Sequence, residues 1–96
     1  MAFTVLLGEQ PREFLNDADE KTERIVRENL GKLADEPYPR PDASRGDREQ
    51  LPVGGRELYR LHISRSYTAF YTIHDNESEV RVLEILPIGE AHKRYG

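Results

Sequence analysis

The chain contains no cysteine, and this absence excludes several kinds of stabilisation and chemistry. A protein without cysteine can have neither a disulfide framework nor a thiolate metal site. Long apolar runs are also missing, since no stretch approaches the roughly 20 residues that a membrane-spanning helix needs. The N-terminus lacks a signal-peptide pattern. Together these absences predict a soluble, cytoplasmic protein that does not associate with membranes.

Positive charge is scarce as well. The 96 residues include 14 lysines and arginines against 18 aspartates and glutamates, which gives a net charge of −4. General nucleic-acid-binding domains usually run basic, so this balance argues mildly against one. Residues 37–73 depart from it, because they carry six arginines and four acids, whereas the remainder has a net charge of −6. This uneven distribution of charge is either statistical scatter in a small chain or the sign of one side of the protein that binds anions.

Hydrophobic periodicity predicts one α+β domain over residues 1–96, beginning with a strand and a helical hairpin. Residues 2–7 have the composition of a short buried strand. Pro11 suits the first turn of a helix, and Asp19 is a suitable N-cap for a second helix with apolar residues at helical spacing. Residues 37–56 are rich in proline, glycine, aspartate and arginine and predict a long polar loop.

The second half of the chain predicts a three-stranded antiparallel meander. Its strand-like runs are residues 57–63, 66–73 and 80–87, separated by turn-forming segments. The predicted order is therefore β-α-α-β-β-β, with the helices on one side of a mainly antiparallel sheet. Gly89 to Tyr95 is short and predicts only a C-terminal tail or a turn of helix.

Alternating side chains on the first strand of this meander suggest phosphate chemistry. Arg60 and His62 are two residues apart and should share one face, while Leu61 points the other way. Arginine offers a fork of donors to phosphate, and histidine can act as acid or base near neutral pH. RNA carries its own nucleophile, the 2′-OH, so cleavage by that route needs a base, an acid and cations but no metal or cofactor. The simpler alternative is a solvated histidine beside a surface arginine.

The C-terminal tail adds further candidates for the same chemistry. His92 and Tyr95 could transfer protons, and the nearby cations are Lys93, Arg94 and Arg65. Phe70 either packs in the core or, if its face meets that of Arg60, stacks on an RNA base. The three histidines and the carboxylates lack metal-ligand spacing, so no metal site is predicted.

The pattern of these strands resembles the RelE/ParE toxin superfamily over nearly the whole chain. The resemblance is carried by Leu58-Tyr59-Arg60-Leu61, by Tyr67-Thr68-Ala69-Phe70-Tyr71, and by Val82-Leu83-Glu84-Ile85-Leu86-Pro87-Ile88-Gly89 leading to a terminal tyrosine. It implies either of two activities. RelE-like members are endoribonucleases that cut mRNA in the ribosomal A site, whereas ParE-like members poison DNA gyrase. In both branches a cognate antitoxin silences the toxin.

The resemblance also implies roles for particular residues. Arg60 and His62 occupy the alternate positions that are usually basic in the second strand of RelE-like toxins, and Tyr95 matches their terminal tyrosine. His92, Lys93 and Arg94 lie around it. Two positions depart from the pattern, since Thr68 stands where many members have an arginine, and Ala91 stands near another.

The departures leave two expectations open. The first is an mRNA endoribonuclease that acts on the ribosome, in which Arg65, Lys93 and Arg94 substitute for the missing guanidinium groups. The alternative is a non-catalytic protein, either a ParE-like inhibitor of DNA gyrase or an inactive family member that retains only antitoxin binding.

Overall fold

The computed structural model describes residues 2–39, 48–53 and 56–95. The elements, in chain order, are β1 (Thr4–Leu7), α1 (Glu9–Asp17), α2 (Glu20–Asp35), β2 (Arg48–Val53), β3 (Arg56–Ile63), β4 (Tyr67–His74), a single 3-10 turn (Asp75–Glu77), β5 (Glu79–Pro87) and α3 (Ile88–Tyr95). The strands form one mixed five-stranded sheet in the order β1-β5-β4-β3-β2. Only the β1–β5 pair is parallel among these described strands.

The observed sheet contains the predicted meander and is wider than predicted. The strands β3, β4 and β5 form that meander, and β1 adds to it in parallel with Val5 opposite Val80. The prediction of a loop over residues 37–56 was wrong for β2, which pairs antiparallel with β3 and places Leu51 opposite Leu58. Residues 40–47 of that loop, and its glycine pair Gly54–Gly55, lie outside the described residues. The C-terminal segment is a helix of eight residues rather than a tail.

The main core lies between the sheet and the helical hairpin of α1 and α2. Strand alternation directs one face of β3 into it, because Tyr59, Leu61 and Ile63 are all buried there. The two helices contribute an apolar stripe that consists of Leu15, Val26, Leu30 and Leu33. The prediction that residues 2–7 form a buried strand was wrong for one face, since β1 is an edge strand and Leu6 is 41% exposed.

A second, smaller core lies on the opposite face of the sheet, beneath α3. It contains Leu51, Leu58, Phe70, Leu86 and Ala91, with Leu83 packed against it. The sheet is therefore covered on both faces, by α1 and α2 on one side and by the eight-residue helix α3 on the other.

Helix α1 is fastened to β5 through a side-chain amide. Gln10 accepts a hydrogen bond from the Ile85 backbone N–H at 2.8 Å and donates one to the Ile85 carbonyl at 2.9 Å. Gly8 brings the chain close enough for this contact by donating to the carbonyl of Val82 at 2.9 Å. The Gln10 amide thus satisfies backbone groups of β5 beyond the point where β1 ends.

The exit of α2 is held to the sheet by tyrosines. The buried hydroxyl of Tyr71 donates to the Pro37 carbonyl at 2.7 Å, and the ring of Tyr71 stacks on Tyr59 with centroids 5.6 Å apart. Tyr38 meets Tyr59 edge to face and donates its hydroxyl to Asp75, beyond the end of β4. Hydrogen bonding to the Asp75 carboxylate is the largest cause that raises the pKa of Tyr38 to about 12.

This contact predicts a specific alkaline titration. Because the folded-state pKa of Tyr38 is raised above its ordinary value of 10.0, the contact stabilises the fold below pH 10 and loses its effect as the pH rises towards about 12. Asp75→Asn should return the pKa of Tyr38 towards its ordinary value. Tyrosinate absorbance is measured against pH with and without Tyr38→Phe, once in the wild-type chain and once in the Asp75→Asn chain. In each chain, the difference between the two curves gives the titration of Tyr38. An Asp75→Asn protein in which Tyr38 still titrates near pH 12 would contradict the assignment.

Candidate functional site

The face of the sheet away from α1 and α2 carries the charged residues singled out in β3. Arg60 and His62 have the same parity as Leu58, which belongs to the second core, so they lie on the α3 side. In the register with β4, Arg60 lies opposite Phe70 and His62 lies opposite Thr68. The cation and the imidazole are therefore neighbours on one surface, as the alternation predicted.

Arg60 is largely buried and is bound by a carboxylate. Its side chain is 23% exposed, and its Nη2 group donates to Oε1 of Glu49, which lies directly opposite on β2. Its Nε–H group is buried and has no hydrogen-bond partner within residues 2–39, 48–53 and 56–95. A buried donor without a partner is unfavourable by about 1–3 kcal/mol. The ion pair with Glu49 thus leaves the guanidinium only partly satisfied.

Glu49 is a site residue that the sequence reasoning missed, because it lies in the segment predicted to be a loop. One signal was available. In Glu49-Gln50-Leu51-Pro52-Val53 the apolar residues Leu51 and Val53 are two positions apart, which is typical of a strand. Pro52 masked that signal, although a proline is tolerated in an edge strand such as β2.

Helix α3 starts beside the hairpin that joins β3 and β4. The Ile88 N–H donates to the carbonyl of Ser66 at 3.0 Å, which fixes the start of the helix next to the turn that carries Arg65. Arg65 is exposed in that turn. Three residues further along α3, Ala91 packs into the second core with Phe70 and Leu58. The helix therefore lies on the same face as Arg60.

The four C-terminal candidates lie on this helix. α3 includes the backbone of His92–Tyr95, and Lys93 is exposed. The cationic and proton-transfer roles expected of these residues stay predictions. The structure brings the helix that carries them to the face of Arg60 and His62, while Arg65 lies at the end of the hairpin rather than beside Arg60.

Phe70 is a core residue in this structure. It has no exposed surface and packs between the sheet and α3 with Leu51, Leu86 and Ala91. The expectation that it stacks on an RNA base fails here, because a ring without exposed surface cannot meet a base. The packing alternative accounts for its position.

The two positions that depart from the RelE-like pattern are also buried. Thr68 is 2% exposed and Ala91 is 7% exposed. Ala91 supports the docking of α3, and a long charged side chain at that position would have to leave the second core. The cations around this core include Arg60 and, when it is protonated, His62. Glu49 and Glu84 add negative charge.

One groove lies elsewhere, on the helical side of the sheet. It has a volume of about 590 Å³ between the α1–α2 turn and the start of β4, where Phe14 meets Tyr67 edge to face at 5.1 Å. Its rim includes Glu13, Asp17 and Asp19. Since this groove is on the helical side and acidic, it is not suited to a phosphate and is separate from the Arg60 face.

Neither a metal centre nor a membrane helix is found in the described ranges. No three histidine or acidic residues converge there in a way that could hold a metal ion. None of the helices in those ranges is long and apolar enough to cross a membrane.

The family is established by a match over most of the chain. Residues 7–91 match the family described as the ParE toxin of the type II toxin-antitoxin system, parDE. The chain therefore belongs to the ParE toxin family of type II toxin–antitoxin systems. No curated protein matches it at a significant level.

Solved structures of RelE toxins share the fold. The RelE–RelB complex from Pyrococcus horikoshii OT3 is similar with a TM-score of 0.72 and 24% identity, covering 93% of this chain and 98% of that one. The RelBE2 complex from Mycobacterium tuberculosis gives 0.71 and 20%, covering 91% and 92%. The isolated RelE toxin of E. coli gives 0.64 and 17%, covering 97% and 98%. At these identities the likeness concerns the fold alone.

The position of Phe70 predicts a structural rather than a binding role. Phe70→Ala should reduce the free energy of unfolding by about 3–5 kcal/mol, because it opens a cavity beneath α3. Urea unfolding followed by circular dichroism measures this, with exposed Arg65→Ala in the adjoining turn as a near-neutral control. A Phe70→Ala protein as stable as wild type would show that the ring is not part of the core.

Proposed function

We propose that this toxin is an endoribonuclease that cleaves ribosome-bound mRNA by attack of the RNA 2′-OH on the adjacent phosphate. No metal or cofactor takes part in the proposed reaction. The observation that carries the proposal is the placement of Arg60 and His62 side by side on the sheet face where α3 docks. A fixed cation next to an imidazole, a side chain that can accept or donate a proton, is what this reaction requires.

Each proposed role follows from the chemistry of the step. The 2′-OH loses a proton as it attacks, negative charge develops on the phosphorane oxygens, and the 5′ oxygen gains a proton as it leaves. Arg60 would stabilise the developing charge. His62, His92 and Tyr95 are the candidates for the base and the acid. Lys93, Arg94 and Arg65 would hold flanking phosphates.

The partners of this activity are the ribosome with its mRNA and a cognate antitoxin. The similar RelE toxin of Pyrococcus horikoshii OT3 forms a complex with RelB, and RelBE2 of Mycobacterium tuberculosis is a toxin–antitoxin complex. We propose a corresponding antitoxin for this chain, bound over the Arg60 face. Residues 37–73, which include Arg60, carry a net positive charge that would attract an acidic antitoxin.

A second function is favoured by specific observations. The matching family is that of the ParE toxin, and Thr68 and Ala91 are buried packing residues rather than cations. Glu49 also neutralises part of the remaining positive charge. These features suit a non-catalytic inhibitor of DNA gyrase, which does not need to stabilise a phosphorane. The same alternative includes an inactive family member that inhibits neither translation nor gyrase and retains only antitoxin binding.

Expression of the toxin alone in a bacterial host separates these functions. The nuclease proposal predicts arrested translation and new 5′ ends inside translated messages. His92→Ala and Tyr95→Phe should each reduce cutting about 10²-fold or more if a full acid–base role is lost. Mapping mRNA ends across the transcriptome measures this.

The control for that experiment is Arg24→Ala, which removes an exposed cation from the helical side without touching the candidate face. It should cut like wild type. Unchanged mRNA ends together with accumulated gyrase–DNA breaks would refute the nuclease and support the gyrase inhibitor.

Antitoxin binding has a separate test. If the antitoxin covers the Arg60 face, it should slow amide hydrogen exchange over residues 57–65 and 89–96. Hydrogen exchange with mass spectrometry on the free toxin and on the complex measures the difference. Protection confined to residues 9–35 would place the antitoxin on α1 and α2 and would contradict direct occlusion of the site.

A further inference from the structure

We infer that Glu49 is a built-in competitor for the anion that Arg60 binds, so that a phosphodiester must displace this carboxylate to engage the guanidinium. The inference deepens and rests on the proposed function, since it concerns the same arginine, and it names the ligand class as a phosphodiester of an RNA backbone. Binding alone suffices to test it, whether or not cleavage follows.

The first support is the incomplete hydrogen bonding of Arg60. Glu49 takes the Nη2 donor through one carboxylate oxygen, and the buried Nε–H has no partner among the described residues. A phosphate can accept from both Nε and Nη2 of one guanidinium in a bidentate arrangement. Exchange of Glu49 for phosphate would therefore also give a partner to the Nε–H that Glu49 leaves without one, provided that the side chain turns out of its present burial.

The second support is the unequal exposure of the two partners. The side chain of Glu49 is 45% exposed, whereas that of Arg60 is 23% exposed. When the pair separates, the Glu49 carboxylate can regain water at the edge strand β2. Arg60 cannot do so without moving. The carboxylate is accordingly the partner that leaves easily, and the arginine is the partner that needs a replacement anion.

The third support is position. Glu49 lies directly across from Arg60, and Arg60 is two residues from His62 on the same face. A phosphate held by Arg60 would lie close to the Glu49 carboxylate if the latter stayed in place, and like charges at that range repel. The contact therefore reduces non-specific binding of phosphate by the free toxin.

The test uses inorganic phosphate and the folded protein at low ionic strength. The Arg60 Nε–H resonance in a ¹⁵N-correlated NMR spectrum reports directly on the group that lacks a partner. Glu49→Gln keeps the shape of the side chain and removes its charge, and it should bind phosphate about threefold more tightly or better than wild type. An unperturbed Arg60 resonance at saturating phosphate would overturn the inference.

The matched control is Glu57→Gln. Glu57 is an exposed carboxylate on β3 whose odd position directs it to the other face of the sheet. The substitution makes the same change in net charge. If Glu57→Gln raises phosphate affinity as much as Glu49→Gln does, the gain comes from the change in the net charge of the protein. Glu49 would then not be a specific competitor for Arg60.

A double-mutant cycle with Arg60→Ala completes the test. Once Arg60 is absent, Glu49→Gln should raise phosphate affinity no more than Glu57→Gln does, because the carboxylate has no guanidinium to occupy. An undiminished effect of Glu49→Gln in this background would refute the competition.

These outcomes are distinguishable from those of the nuclease proposal. Tighter phosphate binding by Glu49→Gln, in a toxin whose expression leaves mRNA ends unchanged, would support the competition and reject the nuclease. Cleaved messages, together with equal phosphate affinity in Glu49→Gln and wild type, would support the nuclease and reject the competition.

Discussion

The constraint on which the rest of the structure depends is the two-residue alternation of β3, with both faces of that strand covered. One face supplies Tyr59, Leu61 and Ile63 to the main core. Their packing against α1 and α2 fixes which face of β3 is turned towards the helices. A slip of one residue would bury Arg60 and His62 in the main core and move Tyr59, Leu61 and Ile63 to the α3 face. Burial of the apolar side chains in the main core therefore determines that Arg60 and His62 lie on the opposite face.

The second core determines what those charges meet. Phe70, Leu58 and Ala91 dock a short helix across the face that a bare sheet would leave open to water. Helix α3 brings the C-terminal residues to the same face as Arg60. A guanidinium in such a place needs a hydrogen-bonding partner. Glu49 on the neighbouring strand provides one in the free protein. The guanidinium of Arg60 is thus partly occupied by a carboxylate of the same chain.

Helices and strands with a long hydrophobic period were predicted correctly from the sequence. Elements whose formation depends on pairing with a neighbouring element were not. The helical hairpin of α1 and α2 was predicted from helical spacing, and the strands β3, β4 and β5 each appear within a residue or so of their predicted bounds. The strand β2 was missed because Pro52 and a loop-like composition concealed it, and its pairing depends on the edge of β3. The parallel pairing of β1 with β5 has no local signature, since it joins segments from the two ends of the chain.

The candidate site shows the same division. Strand parity correctly predicted that Arg60 and His62 share a face, because parity is a local property. The burial of Phe70 could not be read from its strand, since it depends on the eight-residue helix α3, which docks over that face of the sheet. Glu49 was out of reach for a similar reason: its role arises only when β2 pairs with β3 and places it opposite Arg60.

The central claim is that the RNA 2′-OH is the nucleophile and that the Arg60 face acts on it. The most direct measurement uses purified ribosomes loaded with an mRNA whose A-site codon is one that the toxin cuts. That mRNA is compared with an otherwise identical one carrying 2′-deoxyribose in the codon. The account predicts that the ribose message is cut and leaves a 2′,3′-cyclic phosphate, and that the deoxy message stays intact. Cleavage of the deoxy message at a similar rate would contradict it.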